Sequence, residues 1–375
     1  MEPLIKANTK FSIDLLKALC KVNTGNVLFS PLSISSALGL VLLGAGKGSQ
    51  TAEQMYTTLR FYHKHIIYHD LYEEFYKGGN KRSLKLVNRM FGERTLNFYG
   101  DYLDMCDEWC YASLRNIDFK TNPVAARDLI NYWVQDKTGN QIKNFLDKGD
   151  VTKDTGLVLV SAVHFMDKWV KPFKPIQDNG VNWPMMSQTN TFPLGNIPHR
   201  QQSLPAVARI LEIPYANKDL SMLIILPNQR DGLQQVVDLI TYENLQEWTK
   251  PDNMIPTEVD ARIPIFNLQE NYDLKNVLKT LGITDLFDEK CDLSGMSPGP
   301  LKLPKVVHKC SVEVNEEGTD ADGGSSADAV DHSLSRSNKS VEMFMADHPF
   351  LFFIRHNPTT SIIFWSRFSK KPLEK

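Results

Sequence analysis

Apolar residues in the first third of the chain recur at the spacing of helices. Between Phe11 and Leu19 they follow an i, i+4, i+5, i+8 pattern, which places them on one face of a helix. The stretch ISSALGLVLLGAG, which begins at Ile34, is apolar on nearly every side and predicts a buried helix. Ser30 and Pro31 before it are typical of the N-cap and the first helical position. Further helices are predicted over residues 49–59, 97–112, 126–146, 232–248 and 272–282.

Strand patterns dominate the chain after residue 150. Residues 156–165 form one continuous apolar run of strand length, which is typical of a strand in the middle of a sheet. Two shorter apolar runs, residues 208–215 and 221–227, flank the turn sequence ANKDL and predict a hairpin. Other strands are predicted over residues 83–93, 257–266, 306–314, 349–357 and 361–368. Because no repeat or linker divides these elements, we expect one α+β domain that spans residues 1–375.

The composition argues against several classes of function. The chain has 375 residues and a formal charge of −2, so non-specific attraction to nucleic acid or membranes is not expected. No apolar run reaches the roughly 18 residues that a membrane-spanning helix needs. The sequence also lacks the local signatures of hydrolases, zinc sites and phosphate-binding loops. We therefore expect a monomer that is not an enzyme, with no metal or other cofactor and no nucleic-acid or membrane partner.

Five scattered cysteines and the first residues of the chain indicate the compartment. An odd number of cysteines without regular spacing fits reduced thiols better than a disulfide framework. Residues 1–22 combine charges with helical apolar spacing, unlike a secretory signal. We therefore expect a cytoplasmic protein, and secretion by an unconventional route stays open. The cysteines are Cys20, Cys106, Cys110, Cys291 and Cys310.

A long soluble segment, residues 316–340, lies between two strongly apolar stretches near the C-terminus. Val330 and Leu334 are its only sizeable aliphatic residues. The segments around it resemble the serpins in sequence and order, and the similarity covers essentially the whole chain. Within that family the chain most resembles the intracellular, ovalbumin-type branch (clade B). The similar segments are NVLFSPLSISSALGLVLLGAGKGSQTAEQM, LVLVSAVHFMDKW, ENYDLKNVLKTLGITDLFDEKCDLSGMS, HKCSVEVNEEGT and ADHPFLFFIRHNPTTSIIFWSRF.

The resemblance implies a fold and a mechanism. The fold would have three β-sheets, about nine helices and an exposed reactive-centre loop, here residues 316–345. In inhibitory serpins a protease cleaves this loop and is trapped as an acyl-enzyme while the cut loop inserts into the main sheet. The implied function is inhibition of serine-type endopeptidases as a suicide substrate, with a trypsin-like protease as the expected target. A cysteine protease is an alternative target, because the trap needs only an acyl-enzyme.

The residues that correspond to the hinge of this loop permit insertion. After Gly318, alternate positions from 319 to 329 are all small, whereas the three aspartates fall on the opposite face. A one-residue slip would bury those carboxylates at several kcal/mol each. Two adjacent glycines, each costing about 0.5–1 kcal/mol in a strand, keep an alternative open: a non-inhibitory serpin-fold protein that acts in binding, storage or chaperoning. The hinge residues are Glu316, Glu317, Gly318, Thr319, Asp320 and Ala321.

The bond that a protease would cleave has two alternatives. Counting back from the apolar C-terminal stretch places it between Arg336 and Ser337, whereas counting forward from the hinge places it between His332 and Ser333. Arg336 is chemically the better bait, because a guanidinium pairs bidentately with a carboxylate in a trypsin-like pocket. The loop is about four residues longer than is common in the family, which adds roughly 13 Å of slack at about 3.3 Å per residue. This slack predicts leaky inhibition.

Five further residues correspond to positions that hold the main sheet closed in the family. Ser30, Ser33 and His308 match the cluster beneath the place where the sheet opens, where a histidine would hydrogen-bond across two central strands. Ser161 stands where the family usually has Asn, and its shorter side chain predicts a contact that is weaker or bridged by water. Trp169 matches the tryptophan near the top of that sheet, where insertion starts.

Overall fold

Helices occupy most of the first third of the chain, as the apolar spacing predicts. The structure is a computed structural model, and it describes residues 1–61, 68–77, 84–110, 112–177, 183–201, 203–317 and 340–369. Two short 3-10 helices, Pro251–Asn253 and Asp285–Phe287, supplement the α-helices. In these residues the α-helices are α1 (Glu2–Val22), α2 (Pro31–Leu43), α3 (Gln50–Thr58), α4 (His69–Lys77), α5 (Gly100–Cys110), α6 (Pro123–Lys137), α7 (Leu233–Leu239), α8 (Tyr242–Trp248) and α9 (Lys275–Leu281).

Local chemistry explains where the helices begin and end. Ser30 caps α2, since its side chain accepts a hydrogen bond from the backbone N–H of Ser33. Gly282 ends α9 in the left-handed conformation, with φ of 117°. The prediction that helix α6 extends to residue 146 was wrong. The helix ends at Lys137, because the following Gly139 and Asn140 both have positive φ.

The strands include every predicted one and several that the sequence did not indicate. The unpredicted strands are short, like β1, β3 and β12, or polar, like β6 and β10, so they lack a strong alternation. The strands are β1 (Val27–Phe29), β2 (Leu84–Glu93), β3 (Leu114–Ile117), β4 (Leu157–Phe165), β5 (Lys174–Ile176), β6 (Met185–Ile197), β7 (Ala208–Pro214), β8 (Leu220–Pro227), β9 (Ile255–Pro264), β10 (Phe266–Asp273), β11 (Val306–Val314), β12 (Glu342–Met345), β13 (Phe350–His356) and β14 (Ser361–Phe368). Strand β12 lies within the range predicted for the loop, residues 316–345, and pairs with β9.

The described strands form two hydrogen-bonded systems. One is a five-stranded sheet in the order β10-β11-β4-β2-β3. The other is a nine-stranded path, β1-β14-β13-β8-β7-β6-β9-β12, with β5 beside β6. Strand β6 pairs with β9 over Met185–Leu194 and with β7 over Leu194–Ile197. The resemblance implies three sheets. Two of them form the nine-stranded path in this structure, because the long strand β6 pairs with both β9 and β7.

The five-stranded sheet is packed on both faces. Helix α2 contacts β2 and β4 of this sheet and β14 of the other, so it lies between the two systems. On the opposite face, helix α6 packs against apolar residues that include Val158, Val160 and Val307. Burial on both faces explains why strand β4 is apolar along its whole length.

Two further observations concern the cysteines and the helices of the described residues. Cys20, Cys106, Cys291 and Cys310 carry free thiols. Among the helices that the structure describes, none is long and apolar enough to cross a membrane.

Candidate functional site

Two parallel strands lie side by side in the middle of the five-stranded sheet. Strand β11 pairs with β4 from Val306 opposite Leu159 to Val312 opposite Phe165. All other neighbours of these two strands run antiparallel to them. The chain leaves β11 at Val314 and enters the segment predicted to be the loop. A strand formed by a chain that turned back at this point would run antiparallel to both β11 and β4. We refer to the boundary between β4 and β11 as the seam.

A buried polar cluster connects the seam to the start of helix α2. His308 on β11 and Ser161 on β4 are opposite each other in the ladder, and His308 Nδ1 lies 2.9 Å from Ser161 Oγ. The backbone N–H of Ser30 lies 3.1 Å from His308 Nε2. Ser161 Oγ lies 2.9 Å from Ser33 Oγ. All four residues are fully buried, so each contact replaces a hydrogen bond to water.

The direction of each hydrogen bond in this cluster follows from the one backbone donor. The N–H of Ser30 can only donate, so His308 Nε2 accepts and the ring proton is on Nδ1. Nδ1 therefore donates to Ser161 Oγ, the Ser161 hydroxyl donates to Ser33, and the Ser33 hydroxyl donates to Asn88 Oδ1 at 2.9 Å. Ser161 thus contacts His308 directly, without the bridging water that its short side chain had suggested.

Three residues that the sequence did not indicate complete the cluster. Asn88 on β2 donates through Nδ2 to Ser33 O at 3.0 Å and to Ser36 Oγ at 2.7 Å. The Tyr72 hydroxyl on α4 donates to the same Ser36 oxygen. The sequence does not single out Asn88, because Lys85, Arg89 and Glu93 are also polar residues of the same strand. Through Asn88 the cluster connects β11, β4 and β2 with α2 and α4.

Burial lowers the pKa of His308 to about 3. The neutral form is favoured because a charged imidazolium would lose its hydration in the core, and a hydrogen bond to the backbone of Ser161 offsets only part of that cost. A second ring proton on Nε2 would also point at the N–H of Ser30. The closed seam therefore requires a neutral His308.

The stability of the native state should fall as the pH drops below about 6.5. His308 binds a proton at pH 6.5 when unfolded but only near pH 3 when folded, so its stabilising contribution is present above pH 6.5 and is lost as the pH falls towards 3. We expect a loss of about 2 kcal/mol between pH 7 and pH 5 from this residue, measured by urea denaturation at each pH.

A His308→Gln variant isolates this contribution. Burial also lowers the pKa of His164, to about 4, and that of His356, so both add to the slope in the wild type. The variant keeps His164 and His356, so it should lose only the part of the pH dependence of stability that His308 contributes. An unchanged pH slope in the variant would contradict the assignment.

Trp169 contacts the backbone just after the end of strand β11, where the chain leaves the seam. Its indole N–H donates to Asn315 O at 2.9 Å, and its backbone N–H donates to Glu317 O at 3.4 Å. Phe173 N–H donates to Glu316 O at 2.7 Å. The indole also stacks on Tyr215, with ring centroids 4.5 Å apart. These contacts fix the backbone of residues 315–317, the last described residues before the rest of the hinge.

The remaining predicted site residues lie outside the described residues. These are the hinge residues Gly318, Thr319, Asp320 and Ala321 and both alternatives for the cleaved bond, His332–Ser333 and Arg336–Ser337. Within the part of the chain that the structure describes, no group of three or more His, Cys, Asp or Glu residues is placed to hold a metal ion.

The architecture is therefore that of an α+β protein whose five-stranded sheet has a parallel central pair, connected to helix α2 by buried polar residues. Comparison with known proteins identifies the family. A family model described as Serpin (serine protease inhibitor) matches residues 6–371. The chain belongs to the serpin family.

Similar proteins cover the chain almost completely. Human Serpin B3 is 40% identical over 399 residues, which cover 98% of this chain and 100% of that protein. The leukocyte elastase inhibitor of Bos taurus is 41% identical over 387 residues, with the same two coverages. The crystal structure of uncleaved ovalbumin superposes with a TM-score of 0.82 at 30% identity and covers 96% of this chain and 98% of that one. These relatives confirm the resemblance to ovalbumin-type serpins.

Proposed function

We propose that this protein inhibits serine-type endopeptidases as a suicide substrate, and that residues 316–345 are its reactive-centre loop. The observation that carries the proposal is the parallel pairing of β4 with β11 next to the point where the loop leaves β11. Inhibition by loop insertion also needs three other features. The inserted form must be the more stable one, the closed seam must be able to open, and the loop must carry a residue that the protease recognises.

The seam supports insertion on energetic grounds. Insertion of the cut loop would replace one parallel pairing by two antiparallel ones, which are slightly more stable per residue. A dozen or so additional backbone hydrogen bonds, each worth about 0.5–1.5 kcal/mol net, exceed the cost of the two glycines at Gly323 and Gly324. The inserted form is therefore expected to be the more stable one.

The polar cluster supports a closed starting state that can open. The contact between His308 and Ser161 crosses the seam, so it must break when β4 and β11 separate. A hydrogen bond of this kind contributes about 1 kcal/mol net, because water replaces it in the open state. The cluster therefore holds the seam shut without making the closed sheet permanent.

The expected partner is a trypsin-like serine protease in the cytoplasm, with a cysteine protease as the alternative. Arg336 supports the trypsin-like class by its charge and length. The name of the bovine relative, leukocyte elastase inhibitor, supports a protease as partner. We propose a monomer that acts without a cofactor and is not itself an enzyme.

Incubation with trypsin is expected to give a covalent complex that survives boiling in SDS. The acyl bond to the protease is ester-linked and persists once the active site has been distorted. An Arg336→Ala variant should lose at least about tenfold in the rate of complex formation, since it lacks the guanidinium that enters the pocket. Mass spectrometry of the released C-terminal peptide identifies the cleaved bond.

A matched variant separates the two alternatives for this bond. His332→Ala should form the complex at the rate of the wild type if cleavage follows Arg336, and should be the slower variant if cleavage follows His332. Clean cleavage with no complex, by trypsin and by a cysteine protease such as papain, would exclude the inhibitor. The non-inhibitory role in binding, storage or chaperoning would then be the better explanation.

A further inference from the structure

A cavity of about 170 Å³ opens beside the long strand β6 of the nine-stranded system. It exists because one edge of β6 is paired only towards its two ends. Strand β9 covers the other edge from Met185 to Leu194, whereas on this edge β5 pairs as far as Ser187 and β7 begins at Leu194. Residues 188–193 therefore have no described strand beside them on this edge, and the segment that follows β4 borders the gap. The volume is close to that of a cavity which holds one benzene ring.

One side-chain amide connects the segment after β4 to this open edge. Gln188 Nε2 donates to Lys171 O at 2.6 Å and to Pro172 O at 2.9 Å. Asn190 Nδ2 donates to Gln188 Oε1 at 3.4 Å and so orients the amide. These contacts set the width of the cavity, because they fix the distance between β6 and residues 169–173.

The floor of the cavity is apolar. Trp169, Phe192 and Ile213 form this floor, and all three are buried. Val170 also lines the cavity and is 40% exposed, so it lies at the rim. An apolar body that filled the cavity would remove this surface from water, which favours binding.

The charged residues that line the cavity are two exposed lysines, Lys171 and Lys218. Lys171 belongs to the segment after β4 and Lys218 to the turn between β7 and β8, so they approach the cavity from two different elements. The backbone at Lys218 is fixed, since its carbonyl oxygen accepts from Asn357 Nδ2 at 2.9 Å. None of the lining residues in the described part of the chain is acidic, so the charge at the rim favours an anion.

We propose that this cavity binds a small aromatic carboxylate, with its ring on the floor and its carboxylate between Lys171 and Lys218. One ring fills the volume and packs against the indole of Trp169 and the phenyl group of Phe192. One carboxylate offers two oxygens, which match the two ammonium groups at the rim.

The cavity shares residues with the contacts that hold the hinge. Trp169 forms part of the floor while its indole N–H and its backbone N–H donate to Asn315 O and Glu317 O. A ligand packed on Trp169 and Val170 stabilises the segment after β4 in the position that holds residues 315–317. Its effect on inhibition, slower insertion of the loop, rests on the proposed function.

The test is a titration with 4-fluorobenzoate, followed by the fluorine NMR signal of the ligand. The wild type should bind it at one saturable site, with a dissociation constant of about 1 mM for a ligand of this size. Lys171→Met and Lys218→Met should each weaken binding about threefold, and the double variant about tenfold, because each substitution removes one exposed charge. Lys174→Met is the matched control and should bind like the wild type, since Lys174 is an exposed lysine of the same segment that does not line the cavity.

The uncharged analogue 4-fluorobenzamide should bind at least threefold more weakly than the carboxylate. Equal binding of this analogue, a loss of less than threefold in the double variant, or an equal loss in Lys174→Met would overturn the proposal, as would the absence of saturable binding to the wild type. Thermal unfolding checks that each variant is folded. Val170→Glu, which adds a negative charge at the rim, should weaken binding about tenfold and replaces a lysine variant that does not fold, with the same threefold limit. This readout needs no protease, so it holds even if the protein is not an inhibitor.

A second measurement addresses the coupling to the hinge. At saturation, 4-fluorobenzoate should slow the formation of the trypsin complex at least threefold in the wild type and should leave the Lys171→Met, Lys218→Met double variant unaffected. Binding without this slowing, or equal slowing in both proteins through an effect on trypsin, would overturn the coupling alone. Absence of any protease complex would instead count against the proposed function and leave the titration as the test of the site.

Discussion

Replacing Thr319 by glutamate should convert the proposed inhibitor into a substrate. Thr319 is the first residue after Gly318 on the face that turns inward when the loop becomes a strand. Insertion would have to bury an unpaired carboxylate there, which costs several kcal/mol at the first step. We expect cleavage by trypsin at an unchanged rate, no SDS-stable complex, and none of the rise in melting temperature that the cleaved wild type should show.

Asp320→Glu is the matched control for this prediction. The same side chain is introduced one position later, on the face that already carries the three aspartates. This variant should still form the complex and should still gain thermal stability after cleavage. Equal behaviour of the two variants would mean that the loop does not insert in this register. A crystal structure of the cleaved wild type would then have to show the segment outside the sheet.

Ser33→Ala should open the seam. The substitution removes the oxygen that accepts from Ser161 and the hydroxyl that donates to Asn88, and it leaves both partners buried. Unsatisfied buried groups cost about 1–3 kcal/mol each, so the free energy of unfolding should fall by that order. Because the lost contacts join α2 to β4, which must separate from β11, and to β2 beside it, uncut protein should also convert at 37 °C to a loop-inserted form. The loss of loop cleavability with time measures this conversion.

Ser35→Ala separates a seam effect from general destabilisation. Ser35 lies on the same helix and is equally buried, but its hydroxyl contacts Asn8 and Tyr68 rather than the sheet. We expect a comparable loss of unfolding free energy with no faster conversion. If both variants convert at the same rate, the cluster stabilises the fold without controlling the seam.

The site could be predicted from the sequence only as far as its motifs extend. Ser30, Ser33, Ser161 and His308 were named from the order of the motifs, and the structure brings these four within hydrogen-bond distance of one another. Their role as a lock remains a prediction. Ser36, Asn88 and Tyr72 were not indicated, since each is one polar residue among many. Only the packing of β2 and α4 against α2 makes them partners.

The helices and strands could likewise be predicted only in part. Strand β4 was predictable because burial on both faces leaves a continuous apolar run. Strand β6 was not, because its polar sequence MMSQTNTFPLGNI is stabilised by backbone pairing with β9 and β7. Every residue has a backbone carbonyl, and every residue except proline has a backbone N–H. Strand pairing through these groups therefore places little constraint on the side chains and is hard to predict from the sequence. Helix α6 was predicted too long for a related reason, since two backbone conformations at Gly139 and Asn140 override an apolar periodicity that continues.

The sequence by itself determined most of the helices and the strongly apolar strands and identified a buried central strand, and it predicts which face of the soluble segment can turn inward. These properties depend on the spacing of apolar and small residues along one stretch of chain. The tertiary structure decided that β4 and β11 are parallel neighbours, that the ring proton of His308 is on Nδ1, and that a cavity opens beside the part of β6 between its pairings with β5 and β7. Each of these depends on contacts between segments far apart in the chain, and such contacts exist only after the two sheets have packed around α2.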